Sequence, residues 1–600
     1  MHTVIDEFTQ GVGSAFAACG YEAKYGMVQV SDRIDLSPFQ CNGAFAAAKQ
    51  YHKAPAAIAG EVASALEGSP LFSKAEPAGP GFLNLTPRDE WLAAYAAKVA
   101  QDSSLGIPQI GQDETILIDY GGPNVAKPLH IGHLRSAIIG EALKRIARAC
   151  GYRVISDIHL GDWGLQIGLV IAELSDRHPE WRCFASDFGP ERESVPPLDP
   201  DMLSEVYPFA NARSKEDPAF RERAKQATVK LQEGHAGYRA LWQELMRVSV
   251  ADLKQNYEKL GVSFDLWYGE SDSEQYIPEL MQILESQNLL RLSDGALVVD
   301  VAQAEDKAPV PPVIVKKSDH SNIYATTDLA TLLQRQRDFA PDRIWYVVDN
   351  RQSLHFTQVF RCAKKAGVIP LDTELQFLGF GTMNGPDGRP YKTRDGGVMR
   401  LEDLIHTVTS AARTKMETSS FLSEGEQEEC ARKIGIAAIK FGDLVNQRTK
   451  DYIFDLEKFL SFEGKTGTYL LYTVTRICSV LKKVGTAPMP APTRFYSDTE
   501  RMLITQLLLS GDVFCRAISE RAPNEICEHA YQIASLFSRF YHDSHVLSEQ
   551  DLQKRGDWVA LMALTKRILE LHLKVLGIEP VDHMSVSYTH LRAHETRSNL

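Results

Sequence analysis

The stretch Asn124-Val-Ala-Lys-Pro-Leu-His-Ile-Gly-His133 decides the fold, because a short apolar segment precedes it and a long helical pattern follows it. The apolar segment, Thr115–Tyr120, predicts a buried strand, and the turn Gly121-Gly-Pro123 separates it from the ten residues. Beyond the stretch, apolar residues recur at helical spacing at Leu134, Ile138, Ile139, Ala142, Leu143, Ile146 and Cys150. A strand, a glycine-bearing turn and a helix N-terminus form an arrangement that binds phosphate groups.

The two histidines of this stretch lie at the predicted helix start, at a spacing that lets both rings face one ligand. Their ring N–H groups can donate to a triphosphate and stabilise the charge that develops when its α-phosphate is attacked. Gly132 has no side chain, so a flat adenine could lie close to the backbone there. The alternative is a helix start that carries two histidines by chance, and the flanking strand and helix favour the phosphate site.

The run His130-Ile-Gly-His133 in this setting resembles the first signature of class I aminoacyl-tRNA synthetases. The longer run Pro123–Ile139 and the downstream Gly161-Asp-Trp-Gly-Leu-Gln-Ile-Gly168 resemble the arginyl-tRNA synthetase family in particular, and the similarity continues to about Met584. The resemblance implies a multidomain α/β protein with a Rossmann-like parallel-sheet catalytic core, an N-terminal α+β domain and a C-terminal all-α helical bundle. It also implies activation of L-arginine with ATP and Mg²⁺, transfer to the 3′ end of tRNA(Arg), and no zinc.

The composition is that of an ordinary soluble chain, with 600 residues, 44% hydrophobic and 24% charged. No window approaches about eighteen uninterrupted apolar residues, and the N-terminus lacks a signal pattern, so we expect no membrane segment. The nine cysteines form no Cys-x-x-Cys pair, which argues against a zinc knuckle and for a reducing cytoplasm. The net charge of −13 is only weak evidence against tRNA binding, because a protein can bind tRNA through a local basic surface. We expect a cytoplasmic monomer.

We predict five segments along the chain. Residues 1–112 form the N-terminal domain, which by resemblance contacts the tRNA elbow, although a ligand-free domain is the simpler interpretation of the residues alone. The core, 113–375, alternates strands and helices, which implies a parallel sheet. Its insertion, about 177–260, begins polar with little periodicity up to Pro218 and continues as one long helical region.

The remaining segments are a connecting region, a bundle and a tail. The connecting region, 376–465, precedes the helical bundle, 466–584, which resembles an anticodon-binding domain. The tail, 585–600, lacks apolar periodicity and is interpreted as non-native. A genuine basic tail that contacts tRNA is the alternative.

The loop Gly385–Gly397 resembles the second class I signature in the degenerate form of the arginine enzymes. Lys392 and Arg394 would then contact the β- and γ-phosphates of ATP and the leaving pyrophosphate. A solvated hairpin is the alternative, since Pro-Asp-Gly favours a turn. The position at which the family loop usually has a lysine is occupied here by Pro390 or Arg389. The resemblance thus assigns catalysis to His130, His133 and Lys392, and ATP binding to Lys127, His130, Gly132, His133, Lys392 and Arg394.

An enzyme that selects arginine must hold a guanidinium that keeps its charge, so its pocket needs carboxylates placed for paired hydrogen bonds. Tyr324 and Asp328 lie at i and i+4, and they match the family's arginine-binding pair, although an ordinary helix surface is the simpler interpretation of the residues alone. The resemblance adds Gln352, and it adds Asp119 and Asn124 for the α-amino group and carboxylate. We predict no protein-bound metal. The rivals are a class I synthetase or nucleotidyltransferase with another substrate, and a silent tRNA-binding relative.

Overall fold

The computed structural model describes residues 2–33, 36–127, 129–317, 324–385, 387–389, 399–416, 423–485 and 487–581. Lys392 and Arg394 of the predicted second signature lie outside these ranges, and so does the predicted tail, 585–600.

The N-terminal unit is an antiparallel sheet covered by helices, as the predicted α+β class requires. Its elements are α1 (Val4–Ala18), β1 (Val28–Val30), β2 (Phe39–Cys41), α2 (Gly43–Tyr51), α3 (Pro55–Ala65), β3 (Phe72–Ala78), β4 (Phe82–Pro87) and α4 (Asp89–Gln101). The strand order is β1-β2-β4-β3. In the short strand β2, Phe39 and Cys41 are buried on one face of the sheet.

The central unit begins with β5 (Thr115–Tyr120), α5 (Ile131–Ala149), β6 (Arg153–Asp157) and α6 (Leu165–Arg177). The insertion contributes α7 (Pro200–Glu216), α8 (Pro218–Gln232) and α9 (Ala236–Lys259). Next come α10 (Glu270–Ser273), α11 (Ile277–Ser286) and an antiparallel sheet of β7 (Leu290–Ser293), β8 (Ala296–Val299) and β9 (Val313–Lys316). The unit continues with α12 (Tyr324–Phe339), β10 (Arg343–Val347), α13 (Ser353–Lys365) and β11 (Glu374–Phe377).

The insertion is more regular than its sequence indicated. The polar segment before Pro218 was predicted to lack regular structure, yet it contains α7, whose first turn is capped by Asp199 through a 2.7 Å bond from the Met202 N–H. Pro200 occupies the first turn, where its missing N–H costs nothing. The predicted single helical region is two helices, since Gly234 adopts φ +93° between α8 and α9.

The core sheet is parallel throughout, with the order β11-β10-β5-β6, which confirms the predicted parallel sheet. β5 is buried at five of its six positions, as expected for a strand covered on both faces. The chain goes from β5 to β6 on one side, and β10 later pairs with the other side of β5. β11 completes this sheet, so the boundary predicted at 375/376 falls inside a strand.

The connecting region and the bundle follow. The first contains β12 (Met383–Asn384), α14 (Leu401–Lys415), α15 (Glu424–Leu444), β13 (Tyr452–Ile453) and α16 (Leu456–Phe459). The bundle contains α17 (Gly467–Val484), α18 (Asp498–Leu508), α19 (Ser510–Ser519), α20 (Pro523–Asp543) and α21 (Leu552–Val575). Ser497 and Glu500 form half of a capping box at the start of α18. Ser497 Oγ accepts from the Glu500 N–H, but the Glu500 carboxylate accepts from the Tyr496 N–H instead of the Ser497 N–H. Gly577, at φ +69°, follows the last helix.

By length and composition alone, one stretch of the described helices, Asp498–Ser519, is apolar enough to cross a membrane. It spans α18 and α19, and 67% of its most apolar eighteen-residue window is buried within the protein, so its apolar character is explained by packing in the bundle.

Candidate functional site

A cavity of about 460 Å³ lies at the carboxyl ends of β5 and β10. Its walls are the turn after β5, the segment after β10, the first turns of α5 and the segment before β12. This is the place where the connections from the sheet diverge, and open parallel sheets bind ligands at such a point. Five of the predicted site residues line this one cavity: Asp119, His130, Gly132, His133 and Gln352.

The hydrogen bonds of the two histidines fix which ring nitrogen carries the proton. His130 Nδ1 accepts from the Gly132 N–H at 3.1 Å, and His133 Nδ1 accepts from the His130 N–H at 3.2 Å. A nitrogen that accepts carries no proton, so in each neutral ring the proton lies on Nε2. Burial, with the charge of Lys127, lowers the pKa of His130 to about 4, and burial, with the nearby His130 and Lys127, lowers that of His133 to about 3. Both rings are therefore neutral at pH 7.

The backbone N–H groups at the start of α5 are already engaged. The Ile131 N–H donates to Met399 O at 3.0 Å, the Gly132 N–H to the His130 ring, and the His133 N–H to His130 O at 2.8 Å. The helix start therefore offers a ligand its two Nε2–H groups and its dipole, and not these backbone amides.

Gly121 and Ser136 hold the turn against the helix. Gly121 has φ +87°, and a Cβ there would approach the Phe264 ring to 2.9 Å, so this position favours glycine strongly. Ser136 Oγ accepts from the Gly121 N–H at 2.8 Å and donates to Val347 O at 2.7 Å. One hydroxyl thus joins the ends of β5 and β10 to α5, which fixes the floor of the cavity.

Arg135 forms the wall on the side of the connecting region. Its buried guanidinium pairs with Asp443 of α15 at 3.0 Å, from Nε to Oδ2, and Nη1 donates to Gly381 O at 2.6 Å. The Tyr452 hydroxyl donates to the same Asp443 oxygen at 2.9 Å. This buried network ties the helix that carries the histidines to the segment that leads into the predicted second signature.

The ends of that predicted loop lie beside the cavity. Before the loop, Met383 of β12 lines the cavity. After the loop, the Ile131 N–H bonds to Met399 O, and the Leu401 N–H donates to Leu129 O at 2.9 Å. The loop therefore leaves and rejoins the described structure at the rim, although its two basic residues lie outside the described residues.

Asn124 and Lys127 do not line this cavity. They border a smaller one, of about 80 Å³, between the turn before α5 and helices α7 and α9, together with Asp252 and Arg400. Burial lowers the pKa of Lys127. Asn124 Oδ1 lies against Gly161, where a Cβ would approach it to 2.2 Å, so Asn124 contacts the start of the Gly161–Gly168 run.

Tyr324 and Asp328 lie on the first turns of α12 and do not line the large cavity either. Tyr324 is 58% exposed, and its hydroxyl accepts from Gln166 Nε2 at 3.3 Å. Asp328 Oδ2 pairs with His355 Nε2 of α13 at 2.5 Å. The two side chains are therefore close to the Gly161–Gly168 run and to α13, on the β6 and α12 side of the site.

Glu270, on α10, is a further candidate that was not predicted from the sequence. Burial, with the neighbouring carboxylates of Asp162 and Asp328, raises the pKa of Glu270 to about 7, although His159 acts in the opposite direction. Burial also raises the pKa of Asp162 to about 6. Carboxyl groups held together away from water gain from a bound cation, which suits a guanidinium. No spacing motif in the sequence marks Glu270, since only the fold brings α10 to α12.

Within the described ranges, Asp119, Asp157 and His159 are the group whose ligand atoms lie close enough together for a metal ion, all within 4.8 Å. The guanidinium of Arg335 already pairs with both carboxylates, since its Nη2 donates to Asp119 Oδ2 at 2.6 Å and to Asp157 Oδ2 at 2.7 Å. The charge of this group is therefore explained without a metal.

The chain matches three family descriptions. Residues 96–456 match tRNA synthetases class I (R), catalytic domain; residues 470–584 match the DALR anticodon binding domain; and residues 3–86 match the arginyl tRNA synthetase N terminal domain. The curated arginine–tRNA ligase of Alkaliphilus oremlandii is 48% identical over 587 residues, and that of Agathobacter rectalis is 45% identical over 601. Both alignments cover 97% of this chain and 100% of the relative.

Two solved structures share the fold over nearly the whole length. The arginyl-tRNA synthetase of Plasmodium falciparum aligns with a TM-score of 0.80 at 22% identity, covering 97% of this chain and 100% of that one. The Thermus thermophilus arginyl-tRNA synthetase aligns with a TM-score of 0.77 at 22% identity, with the same coverage.

Proposed function

Because the chain belongs to the arginyl-tRNA synthetase family and is an arginine–tRNA ligase, we propose that its chemistry takes place in the cavity at the carboxyl ends of β5 and β10. The observation that carries this proposal is the pair of neutral imidazoles at the start of α5, whose Nε2–H groups have no hydrogen-bond partner among the described residues. Both predicted rivals, a different class I substrate and a silent relative, are excluded with the family assignment.

The first step joins arginine to AMP. The arginine carboxylate attacks the α-phosphate of ATP in line, an acyl–phosphate bond forms, and Mg-pyrophosphate leaves. The protein's part is to position the reactants and stabilise developing charge, and the Nε2–H groups of His130 and His133 would donate to the phosphate oxygens. Gly132 leaves room for the adenine, and Mg²⁺ would arrive on the ATP phosphates. Lys127, Lys392 and Arg394 would contact ATP, and the leaving pyrophosphate would meet the last two.

Recognition of arginine needs partners for both of its charged ends. Asp119 and Gln352 line the cavity, where Asp119 would hold the α-ammonium and Gln352 would lie beside the side chain. Asn124 borders the smaller cavity and would approach the α-carboxylate from there. Asp328 and Glu270 would hold the guanidinium, with Tyr324 covering it. The support is electrostatic, because Glu270, whose pKa is raised by burial, would gain when a permanent cation enters beside it. We propose no zinc, since among the described residues no cysteine belongs to a group with metal-ligand spacing.

In the second step the tRNA 3′-terminal ribose hydroxyl attacks the arginyl-adenylate and AMP leaves. We propose that the bundle reads the anticodon through aromatic rings paired with cations, a combination that stacks unpaired bases. The Arg476 guanidinium lies 4.1 Å from the centre of the Tyr541 ring, and Lys465 Nζ lies 5.5 Å from that of Tyr531. The N-terminal domain would contact the tRNA elbow. We further propose a monomer in the cytoplasm, where the scattered cysteines would stay reduced.

The test is ATP–pyrophosphate exchange and aminoacylation with and without tRNA(Arg). Exchange should require arginine, and the family resemblance leads us to expect that it also requires tRNA. Asp328→Asn keeps the shape and removes the charge, so arginine kcat/KM should fall roughly 30-fold to several-thousand-fold, the range for about 2–5 kcal/mol.

The matched control for Asp328→Asn is Asp338→Asn, an exposed aspartate on the same helix. It should leave arginine kcat/KM unchanged, and neither variant should change the KM for ATP. If Asp328→Asn stays within threefold of the parent, Asp328 does not bind the substrate.

A further inference from the structure

We propose that Arg335, which is too buried to touch the substrate, positions Asp119 for the α-ammonium of arginine and keeps it ionised. The inference rests on the proposed role of Asp119 in this ligase. Arg335 lies on α12, the helix that carries Tyr324 and Asp328, and its side chain is 1% exposed. A buried arginine at such depth requires a partner, so the identity of that partner indicates its purpose.

The partners of Arg335 are two carboxylates on neighbouring strands. Asp119 and Asp157 face each other in the register of β5 and β6, so their side chains leave the sheet side by side. A single guanidinium nitrogen, Nη2, donates to Asp119 Oδ2 at 2.6 Å and to Asp157 Oδ2 at 2.7 Å. Two carboxylates this close would otherwise repel each other and share a proton.

This arrangement leaves one oxygen of Asp119 for a ligand. Oδ2 is held by Arg335, whereas Oδ1 has no hydrogen-bond partner among the described residues, and Asp119 lines the cavity. Two carboxylates and one guanidinium leave a single negative charge, which an α-ammonium would neutralise. Arg335 therefore fixes both the direction in which Asp119 faces the cavity and the charge that it presents there.

The surroundings of the pair would favour a neutral Asp119 without Arg335. Burial raises the pKa of Asp119, and the guanidinium acts in the opposite direction. The other titratable neighbours include His159, whose Nδ1 lies 3.9 Å from Asp157 Oδ2, and Tyr346 of β10, whose ring centre lies 5.2 Å from the guanidinium carbon. Tyr268, whose N–H donates to Asp157 Oδ1 at 3.4 Å, is another. None of these groups offers a permanent positive charge, so loss of Arg335 would leave the two carboxyl groups to share a proton near neutral pH.

The decisive variant is Arg335→Met, assayed as the full chain with ATP, tRNA(Arg) and arginine. At pH 7 the arginine KM should rise roughly 10- to 100-fold, the range for one hydrogen bond to a charged group, with the KM for ATP unchanged. The arginine KM should then fall as pH rises from 6 to 9, because Asp119 regains its charge. Arg335→Lys keeps the charge and should show a smaller rise without this pH dependence.

Two further measurements separate positioning from a merely structural role. 5-Guanidinopentanoate is arginine without its α-amino group, so its inhibition constant should be the same for Arg335→Met and the parent. In Arg335→Met/Asp157→Asn the competing carboxylate is gone, so the pH dependence of the arginine KM should disappear. Arg337→Met is the matched control, since Arg337 lies on the exposed face of α12 and pairs with Glu279.

The outcomes are distinct. If Arg335→Met is stable and its arginine KM stays within twofold of the parent at every pH, the proposal is wrong. It is also wrong if arginine and 5-guanidinopentanoate lose affinity equally. If Arg335→Met does not fold, Arg335→Lys is decisive, since equal losses for the two ligands would overturn the proposal there too. A parent enzyme that does not activate arginine would instead contradict the proposed function.

Discussion

Replacing His130 by asparagine or by glutamine should separate two roles that this one imidazole combines. Its Nδ1 caps α5 by accepting from the Gly132 N–H, and its Nε2–H is free to donate to a phosphate. Asparagine places an oxygen near the position of Nδ1 and is among the best N-cap residues, but it has nothing at the position of Nε2. Glutamine reaches the position of Nε2 with an N–H donor and caps poorly.

The expected magnitudes follow from these roles. His130→Asn loses the donor, so kcat for arginyl-adenylate formation should fall about 10²–10³-fold, with the arginine KM and the melting temperature nearly unchanged. His130→Gln keeps a donor in less favourable geometry, so its kcat should fall about tenfold. It should also lose about 1 kcal/mol of helix stability with the cap.

The assay is single-turnover formation of arginyl-adenylate, together with amide hydrogen exchange at Gly132, which reports the cap directly. The Gly132 amide should stay protected in His130→Asn and exchange faster in His130→Gln. His406→Asn, at an exposed histidine of α14, is the matched control and should change neither measurement. If His130→Asn retains near-normal kcat, or if His130→Gln is as slow as His130→Asn with its cap intact, Nε2–H is not the donor.

Three further outcomes are expected. The pKa of Glu270 is raised to about 7, and a bound cation would lower it, so arginine binding should release a proton near pH 7 and tighten as pH rises from 6 to 8. Calorimetry in buffers of different ionisation enthalpy should show this proton release, and Glu270→Gln should abolish it. Asp443→Leu leaves Arg135 buried without its partner and should cost about 3–5 kcal/mol of stability, whereas Arg135→Met/Asp443→Leu should recover much of the melting temperature; equal melting of the two variants would contradict the network. Deletion of residues 585–600 should leave charging and melting unchanged, and weaker tRNA binding by the shortened chain would show that the tail contacts RNA.

The sequence predicted the central strand, turn and helix because each has a strong local signal. β5 is a nearly continuous apolar run, and α5 repeats its apolar face over several turns. α7 was missed because its buried face is limited to Leu203, Val206 and Ala210 in a mostly polar segment. β2 was missed because three residues are too few to show an alternating pattern.

The site was predictable only where its residues adjoin in the chain. His130, Gly132 and His133 form one local motif, and resemblance supplied Asp119 and Gln352. Glu270 and Arg335 carry no local signal, because their partners come from other strands and helices. In the sequence Arg335 stands in the polar run Gln334–Asp338, where nothing distinguishes it from a surface residue. Only the three-dimensional register of β5 and β6 turns it into the counterion of two carboxylates.

The position of β5 at the centre of the core sheet also has a consequence for synthesis on the ribosome. One edge of β5 pairs with β6 soon after both emerge, but the other edge must wait for β10, which begins roughly 220 residues after β5 ends. At typical rates of about 5–20 residues per second, that edge stays unpaired for roughly 10–45 s. It is apolar, and unpaired apolar edges recruit other strands. The nascent core therefore needs shielding by a chaperone or by the insertion helices, which are made during this interval.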